Sequence, residues 1–148
     1  MGAFFEQLFD YNFYANKKII EACLAQNELP ISIEKKFSHI LNAHHIWNSR
    51  ILKEEVVFSV WHMHPKDSWS EVHYDVQRKT FDILKNTQDF QLRVDYESSE
   101  GKMYINAIDD ILFHIINHST HHRGQIIAEL RSLDSIPPSL DYIFYKRK

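Results

Sequence analysis

The sequence predicts an all-α fold: a four-helix bundle with a long crossover connection and a short hairpin-like excursion before the last helix. Three observations predict it. Helix breakers are scarce, with only three Gly and four Pro in 148 residues. Apolar residues recur at spacings of three and four over long stretches, the signature of amphipathic helices. The chain is also long enough for one well-filled core and too short for two ordinary domains, so residues 1–148 are expected to form a single domain.

The elements follow in order. From Phe4 to Leu24 the apolar positions Phe5, Leu8, Phe9, Phe13, Ile19, Ile20 and Leu24 fit one amphipathic helix, and Pro30 closes the gap behind it. A second helix runs from about Ile33 to Leu52, with Ile33, Phe37, Ile40, Leu41, Trp47 and Ile51 on its stripe. Residues Val56 to Pro65 break that periodicity and read as a long connection with a few buried anchors. Ser68-Trp69-Ser70-Glu71 has the spacing of a capping box and predicts the start of a third helix reaching about Lys85. Between Phe90 and Ile105, alternation around Glu100-Gly101 suggests a short hairpin or looped excursion. Asn106 then precedes a fourth helix to about Leu133, with Asp109 and Asp110 in the first turn, where carboxylates favour the positive helix end. Pro137-Pro138 stops it. The tail Leu140, Tyr142, Ile143, Phe144 and Tyr145 is apolar enough to need covering, by the bundle or by a second copy of the chain.

Composition excludes some classes of function. A net charge of −3, spread without long runs of one sign, gives no footprint for nucleic acid or anionic lipid. The N-terminal residues lack a signal-peptide pattern and no apolar stretch is long enough to span a bilayer, so a cytoplasmic protein is expected. The lone Cys23 cannot form an internal disulfide and reads as a small buried hydrophobe. Phe4, Phe5, Phe9 and Phe13 read as core.

The ten histidines are where function is to be sought. On the fourth helix His118 and His122 interrupt the stripe Ile108, Ile111, Ile115, Ile126, Leu130, and residues four apart lie one turn above each other, close enough to share an ion. Spacing alone does not choose the pair, because His114 is four before His118 and His121 is three after it. A third ligand would come from the second helix, where helical projection favours His44 near the stripe centre, leaves His39 on its flank, and places His45 toward solvent. His62, His64 and His73 read as solvated or capping residues. Arg123 and Gln125 either orient a substrate or imidazole or tie the helix to a neighbour, and Tyr11, Asn12 and Asn16 face the same choice between packing and lining a pocket.

Asn117-His118-Ser119-Thr120-His121-His122-Arg123-Gly124-Gln125 and Tyr11-Asn12-Phe13-Tyr14-Ala15-Asn16, with His39 eight residues before Trp47, resemble the DinB-like (DinB/YfiT) family of metal-binding four-helix bundles over nearly the whole chain. The departures are mild: Tyr14 stands where Trp is frequent, and His121 where Tyr often precedes the last ligand. The resemblance implies His39, His118 and His122 as metal ligands, overriding the preference of periodicity for His44. It also implies a divalent ion, Zn or Ni first, with water or substrate in the remaining positions, and a homodimer.

An open three-imidazole site can lower the pKa of a bound water or thiol. The resemblance implies a low-molecular-weight thiol as cosubstrate and an electrophilic small molecule as substrate, hence a metal-dependent S-transferase. Metal-assisted hydrolysis ranks lower, because no carboxylate lies within residues 117–125 to act as base. The non-catalytic alternative is a metal-binding or stress-related binding module.

Overall fold

The computed structural model describes residues 1–147. Four long helices carry the chain: α1 (Gly2–Leu24), α2 (Ile31–Leu52), α3 (Trp69–Asn86) and α4 (Ile108–Ser132), with a short α5 (Tyr142–Lys146) in the tail. Both α1 and α2 pack against α3 and α4, which places α1 and α2 on one diagonal of the bundle and α3 and α4 on the other. None of these helices is long and apolar enough to cross a membrane.

The excursion before α4 is a true two-stranded antiparallel sheet, so the protein is mostly helical rather than purely so. Strands β1 (Arg93–Glu97) and β2 (Met103–Ala107) pair in the register Arg93↔Ala107 to Glu97↔Met103. Gly101 takes φ 83° in the turn, a conformation that a side chain would strain. Because β2 runs through Asn106 to Ala107, Asn106 lies within the strand, and Ala107 occupies the N-cap of α4. The expected capping box does not form. A 3₁₀ turn at Lys66–Ser68 precedes α3, and the Ser68 hydroxyl turns back to donate to the Pro65 carbonyl at 2.8 Å.

Two apolar clusters form the core. One gathers Ile19, Ile33, Phe37, Leu41, Trp69, Ile126 and Leu130; the other gathers Phe5, Phe9, Leu84, Ile111, Leu112 and Ile115. Leu140, Tyr142 and Tyr145 of the tail cover the bundle, and the Tyr11 hydroxyl donates to the Leu140 carbonyl. Of the early phenylalanines, Phe5 and Phe9 are core, Phe13 is half-buried and Phe4 is exposed.

Between the clusters lies a buried polar belt. Arg123 is 2% exposed and donates through Nη1 to the side-chain oxygens of Asn12 (2.6 Å) and Asn16 (2.8 Å), and through Nη2 to the Thr120 hydroxyl (3.0 Å). Its role is therefore to tie α4 to α1, and Asn12 and Asn16 serve the same tie. The amide of Asn16 meets His73 Nε2 at 3.3 Å. His44 Nε2 and the Thr80 hydroxyl are 2.7 Å apart, and that hydroxyl reaches Asn48 at 3.1 Å. Polar groups this deep are tolerated because hydrogen bonds replace their lost water.

The crossover connection, residues 53–65, is strapped along α2. Val57 donates its N–H to His45 Nε2 (3.0 Å), His64 donates its N–H to the Ser38 hydroxyl (3.0 Å), and the Asn42 amide donates to the carbonyls of Val60 (3.2 Å) and His62 (2.7 Å). His45 is thus 7% exposed and not the solvent-facing residue that projection suggests. His64 and His73 are likewise buried at 4% and 2%, each bonded to an asparagine side chain, while His62 is exposed.

Candidate metal centre

The site sits on the seam between α2 and α4. Along that seam Glu129 binds Ser32 and Lys36, His118 meets His39, and His114 meets Trp47, so the two helices run in opposite directions. His39 projects from α2 toward this seam; His118 and His122, one turn apart, project from α4. The structure brings these three imidazoles together, with one ligand-capable nitrogen from each lying within 4.8 Å of the others, in an arrangement that could hold a metal.

Hydrogen bonding fixes which nitrogens converge. A carbonyl oxygen only accepts, so His39 Nδ1 must donate to the Val60 carbonyl (3.2 Å), which leaves its Nε2 with a lone pair. His122 Nδ1 donates to Gln125 Oε1 (2.8 Å) by the same logic, again freeing Nε2. Partners of this kind orient metal-bound imidazoles. The Nε2 atoms of His39 and His118 face each other at 2.9 Å, where two bare lone pairs repel and either a proton or a cation must lie between them. Two imidazoles bound to one ion at about 2.0–2.1 Å place their nitrogens about 2.9–3.3 Å apart, depending on the angle. That pair therefore has an ion-compatible spacing, and the ligand-capable nitrogen of His122 lies within 4.8 Å of both.

The electrostatics favour the neutral form that ligation requires. Burial pushes the His118 imidazole down to about 3, helped by the neighbouring His39, His122, His114 and His121. His39 is also lowered, by burial first and by His122 in a smaller part, against the opposing effect of its bond to Val60. Imidazoles held below their ordinary range stay unprotonated at neutral pH, so their lone pairs are available.

The other histidines lie outside this group of three, with His114 and His121 flanking it on α4. His44 is buried against Phe9 (ring centres 5.8 Å) and bonded to Thr80, on the side of α2 that faces the core; burial pushes it down to about 3. His114 lies one turn before His118, with its ring edge-on to Trp47 at 5.2 Å. His121 flanks His122 and meets the Gln125 amide nitrogen at 3.4 Å. Gln125 thus bridges His121 and His122.

Two features escaped the sequence reading: the Val60 carbonyl that backs His39, and Trp61, which stacks on the His39 ring at 4.2 Å and 14° while remaining 62% exposed. Both come from the connection, whose lack of periodicity hid them. A signal was present in Asn42, a polar residue set in the apolar face of α2, because a buried amide there needs partners from some other segment.

A search of curated proteins found no match. The model of the DinB family matches residues 1–148, and the chain belongs to that family.

Proposed function

We propose that His39, His118 and His122 hold a divalent ion, Zn or Ni first among candidates, and that the protein is a metal-dependent transferase joining a low-molecular-weight thiol to an electrophilic small molecule. The observation that supports this reading is the convergence of three imidazole nitrogens within 4.8 Å, two of them with their lone pairs directed by Val60 and Gln125. Three neutral nitrogens leave coordination positions unfilled, unlike structural zinc sites, which close all four positions and favour cysteine; Cys23 is buried elsewhere in the core. When bound, an ion in such a site lowers the pKa of a thiol or water in its open position.

The chain's own residues supply the rest. His39 and His122 are held in one tautomer by their acceptors. Trp61 covers one face of His39 and forms, with Lys35, a hollow of about 350 Å³ beside the site, where an apolar electrophile can rest. In the transfer the thiol releases its proton to solvent water, its sulfur forms a bond to the electrophilic carbon, and the leaving group departs with the electron pair of the broken bond. No carboxylate belongs to the histidine group, which ranks hydrolysis by a carboxylate base below thiol transfer.

The test is conjugation of a chromogenic aryl halide with cysteine or a cysteine-containing pseudopeptide by metal-reconstituted protein. Turnover should need metal and thiol together and vanish in His118→Ala. Stoichiometric metal with no thiol-dependent turnover across a panel of thiols and electrophiles would make the protein a metal-binding module instead.

A further inference from the structure

A second hollow, of about 330 Å³, opens where the connection and the hairpin face each other beyond the end of the histidine site. Its apolar lining comes from Ile46, Val56, Phe58 and Val60. Its polar lining comes from Arg50, Glu97 and the serines Ser59, Ser98 and Ser99.

Arg50 is the unusual member. Its guanidinium packs on Trp47 at 4.4 Å and on Tyr96 at 4.6 Å from the ring centres, which fixes its plane. It makes one hydrogen bond, a long one of 3.3 Å from Nη2 to the Glu97 carbonyl, although a guanidinium carries five N–H donors. Among the described residues no carboxylate pairs with it. Glu54, four residues on, pairs with Lys79 at 2.6 Å, and Glu97, which also lines the hollow, has its Oε1 3.6 Å from the position a Cβ on Gly101 would take and forms no ion pair with Arg50. Ser98 Oγ accepts the N–H groups of Glu100 and Lys102, and its hydroxyl hydrogen remains to be donated. A guanidinium held on two rings without a carboxylate partner, in one hollow with serine hydroxyls and apolar side chains, matches the needs of an oxyanion that carries a hydrocarbon group.

We propose that this hollow binds a small organic oxyanion, a carboxylate or phosphate monoester with a compact apolar group, and that Arg50 is its ionic anchor. The site does not depend on the metal reading. It borders the metal centre through Val60, which lines the hollow and whose carbonyl accepts from His39 Nδ1, so an occupant packs against the segment that orients His39.

The experiment is a ¹H–¹⁵N NMR titration of the full chain with benzoate and with phenyl phosphate, using benzyl alcohol as the neutral control. Either anion should give saturable shifts centred on the Arg50 Nε–H, the Trp47 indole and the amides of Ser59, Ser98 and Ser99; the tighter of the two anions identifies the oxyanion preferred. Arg50→Gln should weaken binding at least tenfold. Val56→Trp, which fills the hollow and keeps Arg50, should weaken it as much. Equal binding of benzyl alcohol, shifts that fail to saturate, or a folded Arg50→Gln or Val56→Trp that binds like the wild type would overturn the proposal. The comparison of charged with neutral probe decides on wild-type protein even if a variant misfolds.

Discussion

Acid should weaken this protein through its interior histidines, and His44 gives the cleanest measure. Its imidazole is buried against Phe9 and bonded to Thr80, and burial holds it down to about 3; His73, 2% exposed, is held down to about 4, by burial first and then by Arg123. Unfolded, each titrates near about 6.5. The folded state therefore binds fewer protons than the unfolded state between these limits, and stability is full above about pH 6.5 and falls as the pH drops toward the folded values. At about pH 5 the unfolded chain has gained about 1.5 pH units of protonation free energy at each site, and the folded chain almost none. That costs about 2 kcal/mol per histidine at about 1.36 kcal/mol per unit, nearly independent of where below about 4 the folded value lies. Urea unfolding at pH 8 and pH 5, followed by far-ultraviolet circular dichroism, measures the loss. His44→Gln removes one titrating group but retains a hydrogen-bonding side chain toward Thr80. Its loss between the two pH values should be about 2 kcal/mol smaller than that of the wild type, whatever its absolute stability. Equal losses in the two proteins would refute the argument that His44 is neutral in the fold.

Three further outcomes follow from the same contacts. Gln125→Leu removes the acceptor that holds His122 and should lower metal affinity about 10–100-fold in competition with a chromophoric chelator, and an unchanged affinity would deny Gln125 that role. Arg123→Met strands the oxygens of Asn12, Asn16 and Thr120 and should cost about 3 kcal/mol or more in urea unfolding, whereas a loss under about 1 kcal/mol would show the belt to be energetically idle. Cu²⁺ bound at the histidine site should quench the fluorescence of Trp61, which stacks on His39, more than that of the other tryptophans; Trp61→Phe should remove most of the quench, and quenching that persists would place the ion elsewhere.

Much of the fold was legible because α1, α2 and α4 each carry long apolar stripes in a chain with few breakers. The histidine site was less so. Periodicity selects the middle of a stripe, and on α2 that middle faces the core, where His44 meets Thr80. The seam with α4 lies on the flank, so His39 is well placed for the site and poorly placed on a helical projection. His45, His64 and His73 looked like surface residues because nothing in their neighbours along the chain shows the Val57 N–H, the Asn42 oxygen or the Asn16 amide that they meet. Ser68 fails as a cap for a related reason: the turn that precedes it offers the Pro65 carbonyl to its hydroxyl. In each instance a tertiary partner outweighed a local pattern.

The most direct test of the central claim is the metal content, by elemental analysis, of untagged protein purified beside folded His39→Ala, His44→Ala and His122→Ala variants. The account predicts near-stoichiometric metal in the wild type and in His44→Ala, with loss in His39→Ala and His122→Ala. Metal content unchanged by every variant, or no metal bound even after reconstitution with Zn²⁺ or Ni²⁺, would contradict it.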